Sequence, residues 1–107
     1  MNAFEISQLI IEQQRLGGSY LEFLRVPTLS VGLYNLPAGG VDPQQPHAED
    51  EVYYVVEGRG YIRVEAEDRP VEPGTIVFVA ANVEHHFHSI REDLKILVFF
   101  APAESDR

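Results

Sequence analysis

The sequence predicts an all-β, antiparallel sandwich or barrel, and three observations carry that prediction. Runs rich in β-branched and aromatic residues recur at short intervals from Ser19 onward, turn residues separate them, and only the first 18 residues show a helical pattern. The strand-like runs are SYLEFLRV, LSVGLYNL after Pro27, Val52 to Val56, Tyr61 to Ala66, Thr75 to Ala80 and Leu94 to Ala101. Gly39-Gly40 with Asp42 to Pro46, Gly58-Arg59-Gly60, Glu67-Asp68 and Pro73-Gly74 supply the turns between them.

The helix comes first. Asn2 and Glu5 have the spacing of a capping box, Ile6, Leu9 and Ile10 form an apolar stripe, and Gly17-Gly18 is a natural stop. Such a helix either packs over one end of the sheet or takes part in dimer contacts. The chain therefore divides into a packing helix over residues 1–18, a barrel over 19–101 and a flexible polar tail over 102–107. The last strand is apolar on both faces, with Leu94, Ile96, Val98 and Phe100 on one and Leu97 and Phe99 on the other, and only Lys95 breaks the pattern. Both faces need cover, which leads us to expect a homodimer.

At 107 residues the chain is long enough for one domain that buries roughly two thirds of its unfolded surface. A net charge of -9, from eight Lys and Arg against seventeen Asp and Glu, argues against binding a phosphate backbone, so nucleic acid is not an expected partner. Cysteine is absent, which removes thiolate ligands and disulfides and is compatible with a reducing compartment. There is no basic leader followed by an apolar run and no long apolar stretch, so the expectation is a soluble, unexported, cytoplasmic protein without a membrane partner.

All four histidines lie in two stretches, Gly39 to Gly58 and Gly74 to Ser89. His47, Glu51 and the distant His85 would supply two imidazoles and one carboxylate, a set that binds first-row transition metals and leaves coordination positions open. On an extended strand Gln45 and His47 point to the same face about 7 Å apart, whereas a straight strand would put Glu51 roughly 13 Å beyond His47. The chain must therefore bend at Ala48-Glu49-Asp50, and His85 must come from a strand adjacent in space. Gln45 is then either a ligand through its amide oxygen or an amide that orients a metal-bound water. His86 and His88 alternate with His85 and face away. Glu49, Asp50 and Glu84 read as surface turn or loop charges. Tyr53 shares the strand parity of Glu51, which makes it a cavity phenol able to orient a substrate or donate a proton, or else a core aromatic. Phe78, Phe87 and Phe100 are candidate cavity-lining aromatics.

These two stretches resemble the two motifs of the cupin family, over about half of the chain and with nothing inserted or deleted inside either motif. The first motif falls on Gly39, Gln45, His47, Glu51 and Gly58, and the second on Gly74, Ala80, Asn82, His85 and Ser89. Gln45 stands where the family usually has its first metal-binding histidine. Ala80 replaces a proline and Asn82 a glycine, the latter tolerable because Asn accepts left-handed backbone angles. The resemblance implies a double-stranded β-helix, or jelly-roll, with a short N-terminal helix. It also implies one divalent transition metal ion (Fe, Mn, Ni, Zn or Cu) held by Gln45, His47, Glu51 and His85, a homodimer and a small-molecule substrate or ligand. The expected function is a metal-dependent, oxygenase-like enzyme acting on a small polar or aromatic molecule. The alternatives are an isomerase or lyase of a sugar or keto-acid and a non-catalytic small-ligand module.

Overall fold

In the computed structural model, which describes residues 1–105, helix α1 (Ile6–Leu16) forms where the apolar stripe begins and ends at Gly17, whose N–H donates to Gln13 O at 2.9 Å. The expected capping box does not form, because Glu5 itself occupies the cap position without a side-chain hydrogen bond and Asn2 lies a turn too early. Buried Gln13 pins the helix to the sheet by donating from Nε2 to Leu33 O at 2.9 Å and Ser19 O at 3.2 Å. Phe4, Ile6 and Leu9 then stand with Phe23, Leu97 and Phe99 around an apolar depression of about 270 Å³. The helix thus gives part of the cover that the outer face of the last strand requires.

Six strands follow: β1 (Tyr20–Val26), β2 (Leu29–Leu36), β3 (Asp50–Val64), β4 (Glu67–Val71), β5 (Ile76–Val79) and β6 (His85–Ala101). They pair in the order β1-β2-β6-β3-β4, with β5 added on β3, and every pairing is antiparallel. The all-β antiparallel expectation is met. Alternation sends Leu94, Ile96, Val98 and Phe100 inward, where they join Tyr53, Val55, Ile62 and Phe87 in the core. Among the described residues no helix is long and apolar enough to cross a membrane.

Two features differ from the sequence reading. Gly58-Arg59-Gly60 is not a turn. β3 continues through it, and the two glycines serve a series of register slips against β6 between Val55 and Tyr61. Gly58 has φ 95°, and a Cβ there would lie 2.2 Å from Asp93 O, so the two backbones approach more closely than any side chain allows. The second difference is the C-terminal segment. The expected flexible tail is tied down over residues 102–105: Arg25 Nη2 donates to Glu104 O at 2.7 Å, Glu104 N to Ser30 Oγ at 2.8 Å and Ser105 N to Glu49 Oε2 at 3.2 Å. Residues 106–107 lie outside the described residues. Glu49 is correspondingly buried rather than a surface turn charge.

The slips in β3 decide where the site can form. At one end of the β3/β6 ribbon Glu51 pairs with Phe100, and at the other Val64 pairs with His85. Thirteen residues of straight strand would separate Glu51 from Val64 by about 43 Å, more than the 39 Å long axis of the whole molecule. The ribbon therefore folds back on itself. Gly58→Ala should cost about 2–3 kcal/mol or prevent folding, through left-handed strain and the backbone clash. Arg59→Ala beside it, which removes exposed ion pairs with Glu72 and Glu92, should change stability by less than about 1 kcal/mol. Chemical denaturation of both variants checks the pair.

Candidate metal centre

Folding back the ribbon brings Glu51, on the first half of β3, against His85, at the start of β6. The chain bends at Ala48 and Glu49, as the strand geometry requires, and returns Glu51 beside His47. The loop carrying His47 is stapled to the loop before His85: Asn82 N donates to His47 O at 2.6 Å, and Ala81 N donates to Asp50 Oδ1 at 2.8 Å. Asn82 has φ 66°, the left-handed backbone that its residue type accepts. One ligating atom each from His47, Glu51 and His85 lie within 4.8 Å of one another. Ligands about 2.1 Å from a common ion stand up to about 4.2 Å apart, so this set is within a small adjustment of closing on one.

The chemistry of the three side chains agrees with that geometry. His85 Nδ1 lies 2.8 Å from Val83 O, and a carbonyl only accepts, so the ring's proton sits on Nδ1 and the lone pair on Nε2 points inward. Nε2 stands 2.7 Å from Glu51 Oε1, yet it is without a hydrogen-bond partner, and Glu51 Oε2 is likewise buried and unpartnered. Two lone-pair atoms at that distance repel unless a proton or a cation lies between them. Burial by itself lowers the His85 pKa, but the Glu51 carboxylate, the Val83 carbonyl and the charge of Asp42 outweigh it and leave it raised. The pocket asks for positive charge, and the residues fit a divalent ion.

Around these three lies a polar frame that the sequence reading did not single out. Asp42 is buried and accepts from Tyr34 OH at 2.6 Å, Gln44 Nε2 at 2.6 Å and the backbone N–H of Phe87 at 2.9 Å. Gln44, with its amide thus fixed, presents Oε1 to Tyr53 OH at 2.9 Å and to His47 Nε2 at 3.2 Å. The Glu104 carboxylate stands 3.5 Å from His47 Nδ1 on its other side. The Asp-Pro turn was the available signal for Asp42, since Asp often bonds the backbone two residues on, as it does to Gln44 N at 3.3 Å. Glu104 gave no signal, because its role depends on the docked C-terminal segment.

The structure places the remaining candidates as follows. Gln45 is exposed and lines a cavity of about 510 Å³ with Pro43, Gln44, Glu84 and His85; the amide bonded to His47 is Gln44, one residue earlier. The loop between β2 and β3 carries Pro43 and Pro46 and is not a strand, so two-residue alternation does not govern it. Tyr53 is fully buried with its hydroxyl 3.1 Å from Glu51 Oε1; burial and the Glu51 charge raise its pKa well above that of a free phenol, so it remains a donor. His86 and His88 face away, and His88 meets Asp68 at 2.7 Å. Phe100 packs edge-on against His47 with ring centroids 4.9 Å apart, Phe87 packs on Tyr53, and Phe78 is exposed. Beside His47 a cavity of about 200 Å³ opens between Tyr20, Tyr34, Gln44, Val98, Phe100 and Glu104.

The pattern of a cupin domain matches residues 32–100, well over half of the chain. The chain belongs to the cupin family. An uncharacterized protein from Streptomyces coelicolor is 51% identical to this cupin over 105 residues, 98% of this chain and 100% of its own length. Among solved structures, an RmlC-like cupin from Shewanella frigidimarina superposes with a TM-score of 0.72 at 22% identity, over 82% of this chain and 80% of that one. The DMSP lyase DddQ from Ruegeria pomeroyi gives 0.67 at 23% identity over 71% of this cupin, which spans only 39% of the lyase. Identities this low show the shared double-stranded β-helix fold and leave the activity open.

Removing either imidazole should abolish stoichiometric metal binding, so His47→Ala and His85→Ala are expected to purify and reconstitute without metal. Gln44→Ala should weaken binding by about 10- to 100-fold through the loss of its hold on His47 and Tyr53. Gln45→Ala should change it by less than about threefold, as for an exposed residue that lines the rim without holding a ligand. Elemental analysis and competitive metal titration of the four variants check this order.

Proposed function

We propose that this cupin is a small metal-dependent enzyme of the oxygenase type, acting on a small molecule in the cavity beside His47. The observation that carries the reading is the donor set itself: two imidazoles and one carboxylate, gathered within 4.8 Å and set beside a cavity. Such a set, with coordination positions left open, is the one used by non-haem iron(II) oxygenases. A divalent ion bound there would supply Lewis acidity and open positions for a small ligand.

The rest is the work of the chain's own residues. His47, Glu51 and His85 would hold the ion. The Val83 carbonyl keeps the His85 lone pair aimed inward, and Tyr53 shares its one hydroxyl proton between Gln44 Oε1 and Glu51 Oε1, which steadies the carboxylate. Tyr53 does not line the cavity, so we assign it to positioning Glu51 rather than to touching substrate. Val98 and Phe100 form the dry wall. At about 200 Å³ the cavity is smaller than the roughly 300–1,000 Å³ of most ligand sites, which favours a substrate of few atoms.

The test is elemental analysis of protein purified without chelators, followed by oxygen uptake of the Fe(II)-loaded protein over catechols, thiols and β-diketones. Near-stoichiometric metal with uptake above the metal-only blank is the expected result. Metal with isomerisation or elimination of a sugar or keto-acid and no oxygen use would replace the oxygenase by an isomerase or lyase. Tight ligand binding without turnover would make it a binding module, and no uptake of any metal on anaerobic reconstitution would sink the metal-dependent reading.

We further propose a cytoplasmic homodimer. The absence of cysteine supports the location, and the exposed Phe4, which lines the apolar depression at α1, supports the pairing. Light scattering at micromolar concentration should give twice the 12.1 kDa chain mass, and a value near 12.1 kDa would remove the dimer.

A further inference from the structure

Among the described residues, the cavity beside His47 is lined by four side chains able to donate a hydrogen bond from an N–H or O–H, and three of them are engaged. Tyr34 OH donates to Asp42 at 2.6 Å, the Gln44 amide nitrogen donates to the same carboxylate at 2.6 Å, and His47 Nε2 meets Gln44 Oε1 at 3.2 Å. The fourth is Tyr20. Its hydroxyl oxygen is buried and without a hydrogen-bond partner, although the ring lines the cavity. Leaving such a group unpaired costs more than a typical hydrogen bond gains, so its retention asks for an explanation.

The position of the phenol is built into the sheet. Tyr20 pairs with Tyr34 across β1 and β2, and the two rings meet edge-on with centroids 6.3 Å apart. The ring lies diagonally over Gly32: a Cβ at that position would stand 2.1 Å from Tyr20 Cζ and 2.2 Å from its hydroxyl oxygen. Any side chain at residue 32 would displace the phenol. The absence of one lets the ring lie flat against β2.

Charge narrows what the hydroxyl can serve. Among the described residues no Lys or Arg lines the cavity, and Glu104 does. The two positive charges of a divalent ion would be at least offset by Glu51, Glu104 and the buried Asp42 beside them, so the loaded centre offers no excess positive charge to an anion. We infer that Tyr20 is a specificity residue, donating its hydroxyl to an oxygen acceptor on a small ligand without net negative charge. The inference rests on reading the cavity as the ligand site of the centre proposed above, and it adds the class of ligand: a compact, uncharged oxygenated molecule.

Acetoacetamide and acetoacetate make a matched pair of probes, alike in shape and different in charge. Each is titrated calorimetrically into the protein as purified, into Tyr20→Phe and into Gly32→Ala, with the metal content of every sample measured alongside. Acetoacetamide should bind the natural protein at least about tenfold more tightly than acetoacetate, and Tyr20→Phe should weaken acetoacetamide about five- to tenfold, the worth of one hydrogen bond. Gly32→Ala should weaken it in the same direction. The melting temperature of Tyr20→Phe should not fall, because the lost hydroxyl has no partner within the protein; a fall would assign the hydroxyl a structural role and overturn the inference. Equal affinity of Tyr20→Phe for acetoacetamide, tighter binding of acetoacetate, or no binding of either probe to the natural protein would overturn it as well. Metal content is read separately: a metal-free protein that still discriminates the probes through Tyr20 keeps this inference while the metal-dependent reading falls.

Discussion

The long antiparallel ribbon of β3 and β6 has to fold back on itself, and the rest of the structure depends on that fold. Its two ends carry Glu51 and His85, which straight strands would hold tens of ångströms apart and which the folded ribbon brings to 2.7 Å. The close backbone approach at Gly58 lets the ribbon turn without breaking its pairing with β6. The core forms inside the same turn, since Tyr53, Val55, Ile62, Phe87 and Ile96 all come from these two strands. Packing and site assembly are thus one event.

Enclosing polar groups in that interior has consequences that the Asp42 frame manages. A buried carboxylate is costly unless its lone pairs are occupied, and Asp42 receives a phenol, a side-chain amide and a backbone N–H. Those bonds leave Gln44 Oε1 directed at His47 and Tyr53, so a network that serves stability also sets the angle of a candidate ligand. Three of the buried polar atoms left over, His85 Nε2, Glu51 Oε2 and Tyr20 OH, lie at the centre or along the cavity beside it, whereas Gln13 Oε1 lies away from it on α1. Unsatisfied polarity is concentrated where a ligand would complete it.

Much of this was legible from the residues. Strand alternation separated the two faces of β6, and motif spacing singled out His47, Glu51 and His85, because histidine and glutamate at fixed offsets around a forced bend admit few other arrangements. What was not legible has physical reasons. Gly58 and Gly60 resemble a turn locally, and only the partner strand shows that they sit in bulges. Gln45 shares strand parity with His47 only where the backbone is extended, and two prolines take the segment out of a strand. Asp42, Tyr20 and Glu104 act through contacts between segments far apart in sequence, which no local pattern encodes.

The folded ribbon also bears on how the chain reaches its native state. Val64 and His85 can meet early, being joined by a short excursion through β4 and β5, but Glu51 meets His85 only after the ribbon has turned at Gly58. Loop closure over such separations is slow relative to helix or hairpin formation. His85, His86 and His88, by contrast, are neighbours along the chain and can trap a metal ion before any sheet exists. A metal ion present during synthesis would therefore face two competing sites in time, a transient local one and a late native one. Whether the proposed centre would fill would then depend on how quickly the ribbon closes as well as on its final affinity.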